Sequence, residues 1–420
     1  MIRSRFVVFA VLAAWAVACH SDAVTNSPVV PKAGINFANL VPDTNKVIIR
    51  VVDIVSNAYL AGATFRSVNP YPIPIEAGTR HIKVFFDTSD VVVAQTVLLD
   101  TTYTFTQDGS YSFTVAGFAR TGVTPAIQAQ IVKDAPPTPG TGKFALRIVN
   151  LAPSLAGAIP ALGDTTVLPD AFVRKVDSLP GGTPDATNLG YGSTTAYAVL
   201  DTGLYRLVLT ATGTTAPPIV QASLLPGVPG TSSVNPIGGT LVAGTVMTAV
   251  IVPRSVPASK APQGGSPSAK KVEVVTRSND TVTVQSGTIT VITNRSGSKP
   301  DSIIDTTGTH ATTGVNRGDV VYVSGANEAE YNGWQVAIRT DSLFCKPTNA
   351  GDTATKCAAA NDTAKTFFRF RYRITGTPAS PATGTPVYKI YPPQSPTVSQ
   401  DYTIPTVVFI VDQRPPNTAP

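Results

Sequence analysis

The chain has 420 residues, enough for two or three domains of about 100–200 residues each. Its formal net charge of +6 is spread without a Lys/Arg block, so composition argues against nucleic acid as a partner. Only 14% of the residues are charged, whereas there are 36 Pro and 33 Gly. Short Val/Ile/Thr/Tyr runs recur between turn-forming residues. This pattern predicts an all-β fold.

The first residues have the pattern of a secretory signal. Arg3 and Arg5 precede a short apolar run at 6–18, which ends in small residues before Cys19. This order resembles the lipobox of bacterial lipoproteins, which implies a diacylglycerol on the Cys19 thiol. His20, rather than an aspartate, follows, and in that family this implies an outer-membrane or cell-surface location. An ordinary signal peptide with an unmodified cysteine is the alternative.

Changes in composition along the chain predict its division into segments. We expect a tandem array of antiparallel β-sandwich domains joined by Pro/Gly-rich linkers. The expected segments are a signal peptide (1–18), a tether (19–33), a first sandwich (34–132), a linker (133–142), a second sandwich with long loop insertions (143–253), a second linker (254–270), a C-terminal β domain (271–412) and a tail (413–420).

The two expected sandwiches are an internal repeat. The matched pairs of segments are 39–42 with 150–153, 75–84 with 200–209, and 108–115 with 243–250. The second copy gains residues near 155–192 and 226–240. In combination these motifs resemble a widespread bacterial family of envelope domains without assigned function. The resemblance implies an Ig-like or transthyretin-like fold and brings no catalytic residues.

Within the repeat, alternation predicts which faces are buried. Ile82, Val84 and Phe86 fall on one face of a strand, and His81 and Lys83 fall on the other. A two-sheet sandwich with a solvated outer surface is therefore expected.

The third block contains three segments in order, 318–326, 331–336 and 368–384. Their pattern of Gly-Asp-x-Val-x-Val-Ser-Gly, Tyr-Asn-Gly and an alternating aromatic strand is similar to a small β module of phage structural proteins and bacterial surface proteins. Cys345 and Cys357 flank a polar loop inside this block. An oxidising compartment favours a disulfide between them, stabilising the fold by about 3 kcal/mol. A metal pair is the alternative, although no histidine lies nearby.

Catalytic motifs are absent from the sequence. His20, His81 and His310 form no His-Glu-x-x-His or His-x-His pattern, and there is no nucleophile elbow or Gly-rich phosphate loop. The expectation is therefore that the protein has no metal site, no cofactor and no enzymatic activity. The alternative is an envelope hydrolase that acts on glycan or peptide through a site without a motif.

Two kinds of surface residue remain as candidates. The acid pairs Asp87/Asp90 and Glu328/Glu330 are interpreted as solvated loop residues rather than cation ligands. Tyr322, Tyr331 and Trp334 are candidates for stacking on a ligand, with a β-module core as the alternative. The expected function is a surface binding, adhesion or structural module, held to the membrane by its N-terminal lipid, with a glycan or an envelope protein as partner.

Overall fold

The computed structural model describes residues 30–44, 46–54, 59–69, 72–87, 94–120, 122–153, 155, 168–255, 283–293, 301–305, 315–343, 367–374, 376, 378–379, 381–394 and 404–417. The secondary structure there is dominated by β-strands, with one 3₁₀ turn at Ala329–Tyr331. These strands form two sandwiches and a further sheet. The predicted all-β class and tandem sandwich arrangement are confirmed.

The first sandwich consists of β1 (Lys32–Asn39), β2 (Lys46–Val51), β3 (Tyr59–Thr64), β4 (Ser67–Val68), β5 (Ile73–Glu76), β6 (Gly78–Phe86), β7 (Val97–Phe105), β8 (Ser110–Ala116) and β9 (Gln128–Asp134). One sheet has the order β4-β1-β8-β9, with β5 also pairing with β1, and the other has the order β3-β2-β6-β7. The alternation predicted for β6 is confirmed, since Ile82 and Val84 are buried. On its other face, His81 and Lys83 both contact Asp100 of β7.

The second sandwich contains β10 (Lys143–Asn150), β11 (Pro169–Lys175), β12 (Ala198–Asp201), β13 (Tyr205–Ala211), β14 (Pro218–Ser223) and β15 (Val246–Val252). One sheet includes the order β12-β10-β15, and the other has the order β11-β13-β14. Apolar side chains of both sheets, including Phe144, Leu207 and Met247, form one core.

An asparagine at the end of the first strand makes the same contacts in both sandwiches. Asn39 Nδ2 donates to the Ala63 carbonyl at 2.8 Å, and its Oδ1 accepts from the Val41 N–H at 3.1 Å. Asn150 repeats both bonds, to the Leu189 carbonyl at 2.7 Å and from the Ala152 N–H at 3.0 Å. The repeated Asn-x-x-Pro motif therefore holds the turn after the strand and bonds it to a neighbouring segment.

The pairing of strands differs from the sequence expectation in two respects, orientation and register. β1 pairs with β8, and β10 with β15, in parallel rather than antiparallel orientation, which is possible because no hairpin joins these partners. Gly34 pairs with Ser110, whereas the equivalent Ala145 pairs with Val246. The sequence match of 108–115 with 243–250 is therefore one residue out of register, because the second copy has one more residue before its strand.

The third β region contains β16 (Thr283–Thr293), β17 (Asp301–Asp305), β18 (Val320–Ala326), β19 (Gly333–Val336), β20 (Arg339–Leu343), β21 (Phe367–Tyr372) and β22 (Gly384–Gln394). They form a seven-stranded sheet of order β19-β18-β22-β16-β17-β21-β20. Its core is rich in aromatic rings, with Phe370, Tyr372 and Tyr388 fully buried.

The last described strand, β23 (Thr406–Gln413), belongs to the second sandwich. It pairs antiparallel with β15 and completes the sheet order β12-β10-β15-β23. In the first sandwich, β9 has the equivalent position beside β8. The expected segments 271–412 and 413–420 are thus wrong at this end. The third β region is inserted between two neighbouring strands of the second sandwich, and Asn417 beyond them donates to the Thr231 carbonyl at 3.1 Å.

The two sandwiches pack face to face through a buried apolar junction. Sheets β4-β1-β8-β9 and β12-β10-β15-β23 bring together Ala38, Leu40, Ala116, Val149, Leu151, Val250, Val252 and Ile410. β10 and β15 are therefore buried on both faces. The solvated outer surface expected for each sandwich is wrong for the central strands β1, β8, β10 and β15, because the two sheets cover each other there, whereas β9 and β12 keep exposed residues.

The third β region is docked on the second sandwich. Arg206 of β13 forms a buried ion pair with Asp319, at 2.8 Å between Nη2 and Oδ1. Gln221 of β14 donates to the Tyr391 carbonyl at 2.5 Å and accepts from the Val320 N–H at 3.0 Å. Of the expected linker 254–270, residues 256–270 lie outside the described residues.

We predict that Asn150→Ala destabilises the protein by about 1–3 kcal/mol, because it leaves the buried Leu189 carbonyl and Ala152 N–H without their partner. Asn39→Ala should cost a similar amount, since it makes the same two bonds. Urea denaturation measures both, with the exposed Ser232→Ala as the control. Equal midpoints for the Asn150 variant and the control would refute the proposed role of the motif.

Candidate binding site and buried charge cluster

Tyr331 is a core residue of the third β region. Its side chain is fully buried, and its hydroxyl donates to the Ala379 carbonyl at 3.0 Å. The Tyr372 hydroxyl donates in turn to the Tyr331 carbonyl at 2.9 Å. The expectation that Tyr331 stacks on a ligand is therefore wrong, because no face of its ring is exposed, and the alternative of a β-module core is correct for this residue.

Tyr322 and Trp334 instead form a partly exposed aromatic strip together with Tyr391. The Trp334 ring centroid lies 5.0 Å from that of Tyr322 and 5.0 Å from that of Tyr391, with both pairs of rings inclined. Tyr322 and Trp334 are direct cross-strand partners on β18 and β19. All three side chains are half-buried, and Lys389 lies opposite Tyr322 on β22.

The aromatic strip lies on the face of the sheet opposite the core. On β18, Val321 and Val323 are buried on either side of Tyr322, and on β22 Ile390 is buried next to Tyr391. The sequence analysis missed Tyr391. Its signal is the two-residue period of β22, in which Tyr388 and Ile390 point to the core and Tyr391 to the other face.

A second feature that the sequence analysis missed is a cluster of polar side chains between the two sandwiches, all buried except for the half-buried Tyr197. The charge cluster consists of Ser112, Asp134, Arg147, Tyr197, Thr248 and Asp412. These residues come from both sandwiches, and Asp412 comes from the C-terminal strand. The cluster therefore connects three distant parts of the sequence.

Arg147 is shared between two carboxylates. Its Nη2 bonds to Asp134 and lies 3.6 Å from Asp412 Oδ1, and its Nε donates to Thr248 Oγ1 at 2.6 Å. Thr248 donates onward to Asp412 Oδ2 at 2.6 Å, and the Tyr197 hydroxyl donates to the same oxygen at 2.9 Å. With both carboxyls ionised, one cation faces two anions in a buried site.

This imbalance changes the protonation of the acids. Burial, opposed by Arg147 and aggravated by the nearby Asp134, raises the pKa of Asp412 to about 7. Burial also raises the pKa of Asp134, although Arg147 opposes this. Below about pH 7 the cluster therefore holds a proton on Asp412, so that one anion faces one cation.

Among the other sequence candidates, Glu328 has structural partners, and several candidates lie outside the described residues. Glu328 accepts from the Thr383 N–H at 2.9 Å and from its hydroxyl at 2.8 Å, and these bonds hold its pKa below the usual range. Cys19, Cys345, Cys357, Asp90 and His310 are not among the described residues. Lipidation and the disulfide therefore stay predictions.

Within the described ranges, no group of three His, Cys, Asp or Glu side chains is placed to hold a metal ion. Among those same residues, no helix combines the length and apolar character needed to cross a membrane.

The inserted loops of the second sandwich are partly structured. The first insertion, near 155–192, contains β11, so it does not consist of loop alone. The second, near 226–240, folds back on itself through bridges between Val228 and Ile237 and between Thr231 and Val234. Val228, Val234 and Ile237 are 55–62% exposed, so this insertion presents an apolar surface.

We predict that Asp412→Asn removes part of the pH dependence of stability. In the wild type, the unfolded carboxyl loses its proton near pH 4 and the folded one near pH 7. The contribution of this carboxyl to the free energy of unfolding is therefore complete below about pH 4. It falls by up to about 4 kcal/mol as the pH rises to 7. The variant should match the wild type at pH 4 and exceed its stability at pH 7.

Urea denaturation between pH 4 and pH 8 tests this difference. Asp100→Asn is the control, because hydrogen bonds from His81 and Lys83 lower the pKa of this exposed acid and its contribution is lost as the pH falls. Parallel stability curves for the wild type and Asp412→Asn would show that Asp412 is ionised in the folded protein.

Comparison with known proteins gives one family match. No curated protein matches the chain. Among solved structures, a leucine-rich repeat protein from Bacteroides thetaiotaomicron VPI-5482 is similar at 16% identity, over 46% of this chain and 24% of that chain, with a TM-score of 0.13. The chain thus spans about a quarter of that protein, and the score supports no shared fold. Residues 33–159, from β1 through β10, match the family described as "Domain of unknown function (DUF4397)".

Proposed function

We propose that the protein is a lipid-anchored, non-enzymatic component of the cell envelope. In this proposal the N-terminal cysteine motif attaches it to the outer membrane or cell surface. The two packed sandwiches form a stiff support, and the third β region presents the aromatic strip to a glycan or a neighbouring envelope protein. The second sandwich is proposed as a further copy of the family domain, and the third β region as a relative of the phage and surface β modules.

The observation that carries this proposal is the buried junction between the sandwiches. Domains joined by short linkers usually move relative to each other unless their interface is large and apolar. Here the junction is continuous, from Leu40 and Ala116 on one side to Leu151 and Val252 on the other. A support of this kind favours a structural or presenting role.

The aromatic strip supports the binding half of the proposal. Trp and Tyr rings combine an apolar face with a polar edge, which suits ligands that carry both C–H faces and hydroxyl groups. Trp334 is half-buried at the centre of the aromatic strip, and the exposed Lys389 is the cross-strand partner of Tyr322. A glycan with an acidic group is the ligand that this combination favours.

We predict that Cys19 carries the lipid. Cells grown with a palmitate analogue should label the wild-type protein, whereas Cys19→Ala should lose the label, because the thiol is the expected site of attachment. Cys357→Ser is the matched control and should keep it. Equal labelling of wild type and Cys19→Ala would remove the anchor from the proposal.

We predict that Trp334→Ala weakens ligand binding about tenfold, as expected for loss of an aromatic contact of 1–1.5 kcal/mol. Glycans, including peptidoglycan fragments, are screened against the protein without residues 1–19, and affinities are measured by isothermal titration calorimetry, because Trp334→Ala removes the only tryptophan that remains. Leu204→Ala, an exposed change in the second sandwich, should bind as the wild type does. An unchanged affinity in Trp334→Ala would exclude the strip, and cleavage of a fragment would identify a hydrolase.

A further inference from the structure

Residues 225–241, which include the second insertion of the second sandwich, present a concentrated apolar surface that we call the apolar tip. Its exposed aliphatic side chains, each 40–62% exposed, are Leu225, Val228, Val234, Ile237 and Leu241. The surrounding sequence has no charged residue from 207 to 253. Single exposed apolar residues are normal on a protein surface, whereas a cluster of them marks a contact with another molecule.

The backbone of the apolar tip is paired within the tip itself. Val228 and Ile237 exchange two hydrogen bonds between their N–H and carbonyl groups, at 3.0 and 2.9 Å. Thr231 and Val234 do the same at 2.8 and 3.3 Å. Because these polar groups already have partners, the tip is able to leave water without losing backbone hydrogen bonds.

The apolar tip lies at the end of the second sandwich where β10 begins. The Gly244 N–H, just after the tip, donates at 2.8 Å to the carbonyl of Lys143, the first residue of β10. The Gly203 N–H donates to the carbonyl of Thr240 in the tip at 3.0 Å. At this same end, the connection 135–142 arrives from the first sandwich.

The chain enters the first sandwich at that end as well. Asp134 ends β9 beside Ser110, where β8 starts, and it bonds to Arg147 of β10. β1 runs parallel to β8, so its start lies there too. Val30, which precedes β1, is exposed. The N-terminal approach to β1 and the apolar tip therefore lie at one end of the two packed sandwiches.

We propose that the apolar tip inserts into the lipid bilayer that carries the anchor, as a second contact of the protein with the membrane. This inference rests on the lipid anchor of the proposed function. Residues 19–29 lie outside the described residues, and a segment of that length spans at most about 40 Å. A lipid on Cys19 therefore keeps the end of the molecule that carries the tip within reach of the bilayer.

The chemistry of the apolar tip favours lipid over a protein partner. The centres of protein interfaces are enriched in Tyr, Trp and Arg, whereas residues 225–241 contain no aromatic and no charged residue. Aliphatic side chains gain free energy on leaving water and have no charge to desolvate. The exposed Ser232 and Ser233 at the turn are polar, so the insertion is shallow, at the boundary of headgroups and acyl chains.

Insertion is tested by fluorescence quenching on residues 20–420, which contain every described residue. An N-terminal His tag holds this chain on phosphatidylcholine vesicles that carry a nickel-chelating lipid. The tag replaces the anchor, so the result does not depend on acylation of Cys19. The vesicles contain lipid brominated near the top of its acyl chains, which quenches tryptophan that enters them.

The matched variants are Val234→Trp and Val97→Trp. β6 begins next to Pro31 and runs away from that end, so Val97, which pairs with Phe85, is an exposed valine at the opposite end of the first sandwich. Trp334 is common to both variants. Quenching should be at least about twice as strong in Val234→Trp, because only this tryptophan reaches the acyl chains. Equal quenching of the two variants would overturn the proposal.

A charge in the apolar tip should prevent insertion. Ile237→Asp, added to Val234→Trp, should reduce quenching to the level of Val97→Trp, because a carboxylate is costly to bring into the acyl region. Val97→Asp in the same background should leave the quenching unchanged. Light scattering without vesicles tests the other occupant: a dimer that Ile237→Asp dissociates would show that the tip binds a second copy of the chain instead of lipid.

Failure of the anchor and failure of the insertion give different results. An unlabelled Cys19 together with quenching of Val234→Trp would remove the anchor from the proposed function and keep the membrane contact. A labelled Cys19 without this quenching would overturn the membrane contact and leave the anchor in place.

Discussion

The face-to-face packing of one sheet from each sandwich is the constraint on which the described structure depends. It buries β10 and β15 on both faces. A polar side chain on either strand therefore loses its hydration, which costs free energy unless another group replaces the water. Arg147 lies in this layer and needs a counter-charge, which Asp134 provides, while Asp412 lies beside it and is protonated below about pH 7. The ion pairs thus follow from the packing, and they fix which strands meet at the junction.

The sequence was sufficient to predict the β-strands and the internal repeat, because alternation and turn residues are local signals. The burial of the second face was not predicted, although a signal exists: residues 246–252 are apolar except for Thr248, which is typical of strands covered on both sides. The position of β23 had no local signal. Its pairing with β15 depends on contacts between residues far apart in the chain, and composition instead suggested that the domain continued to 412.

The candidate site was also predictable from the sequence only in part. Trp334 and Tyr322 were selected by residue type, and the structure places them together because they are cross-strand partners. Tyr331 has the same chemistry but lies in the core, where its hydroxyl is satisfied by a backbone carbonyl. Residue type alone does not separate these cases, and the two-residue strand period gives no signal for Tyr331, because it lies on the 3₁₀ turn rather than on a strand. The charge cluster was beyond prediction, because its members come from strands of two sandwiches.

The position of β23 after the third β region has a consequence for the time course of folding. A ribosome makes β15 well before β23, so the sheet of the second sandwich cannot be completed until the whole third β region has been made. In this interval β15 is an open edge, which is the element most prone to wrong pairing and aggregation. Contacts of such long range also slow folding. The order of elements along the chain therefore makes the second sandwich complete later than the first, whose strands are all made before it.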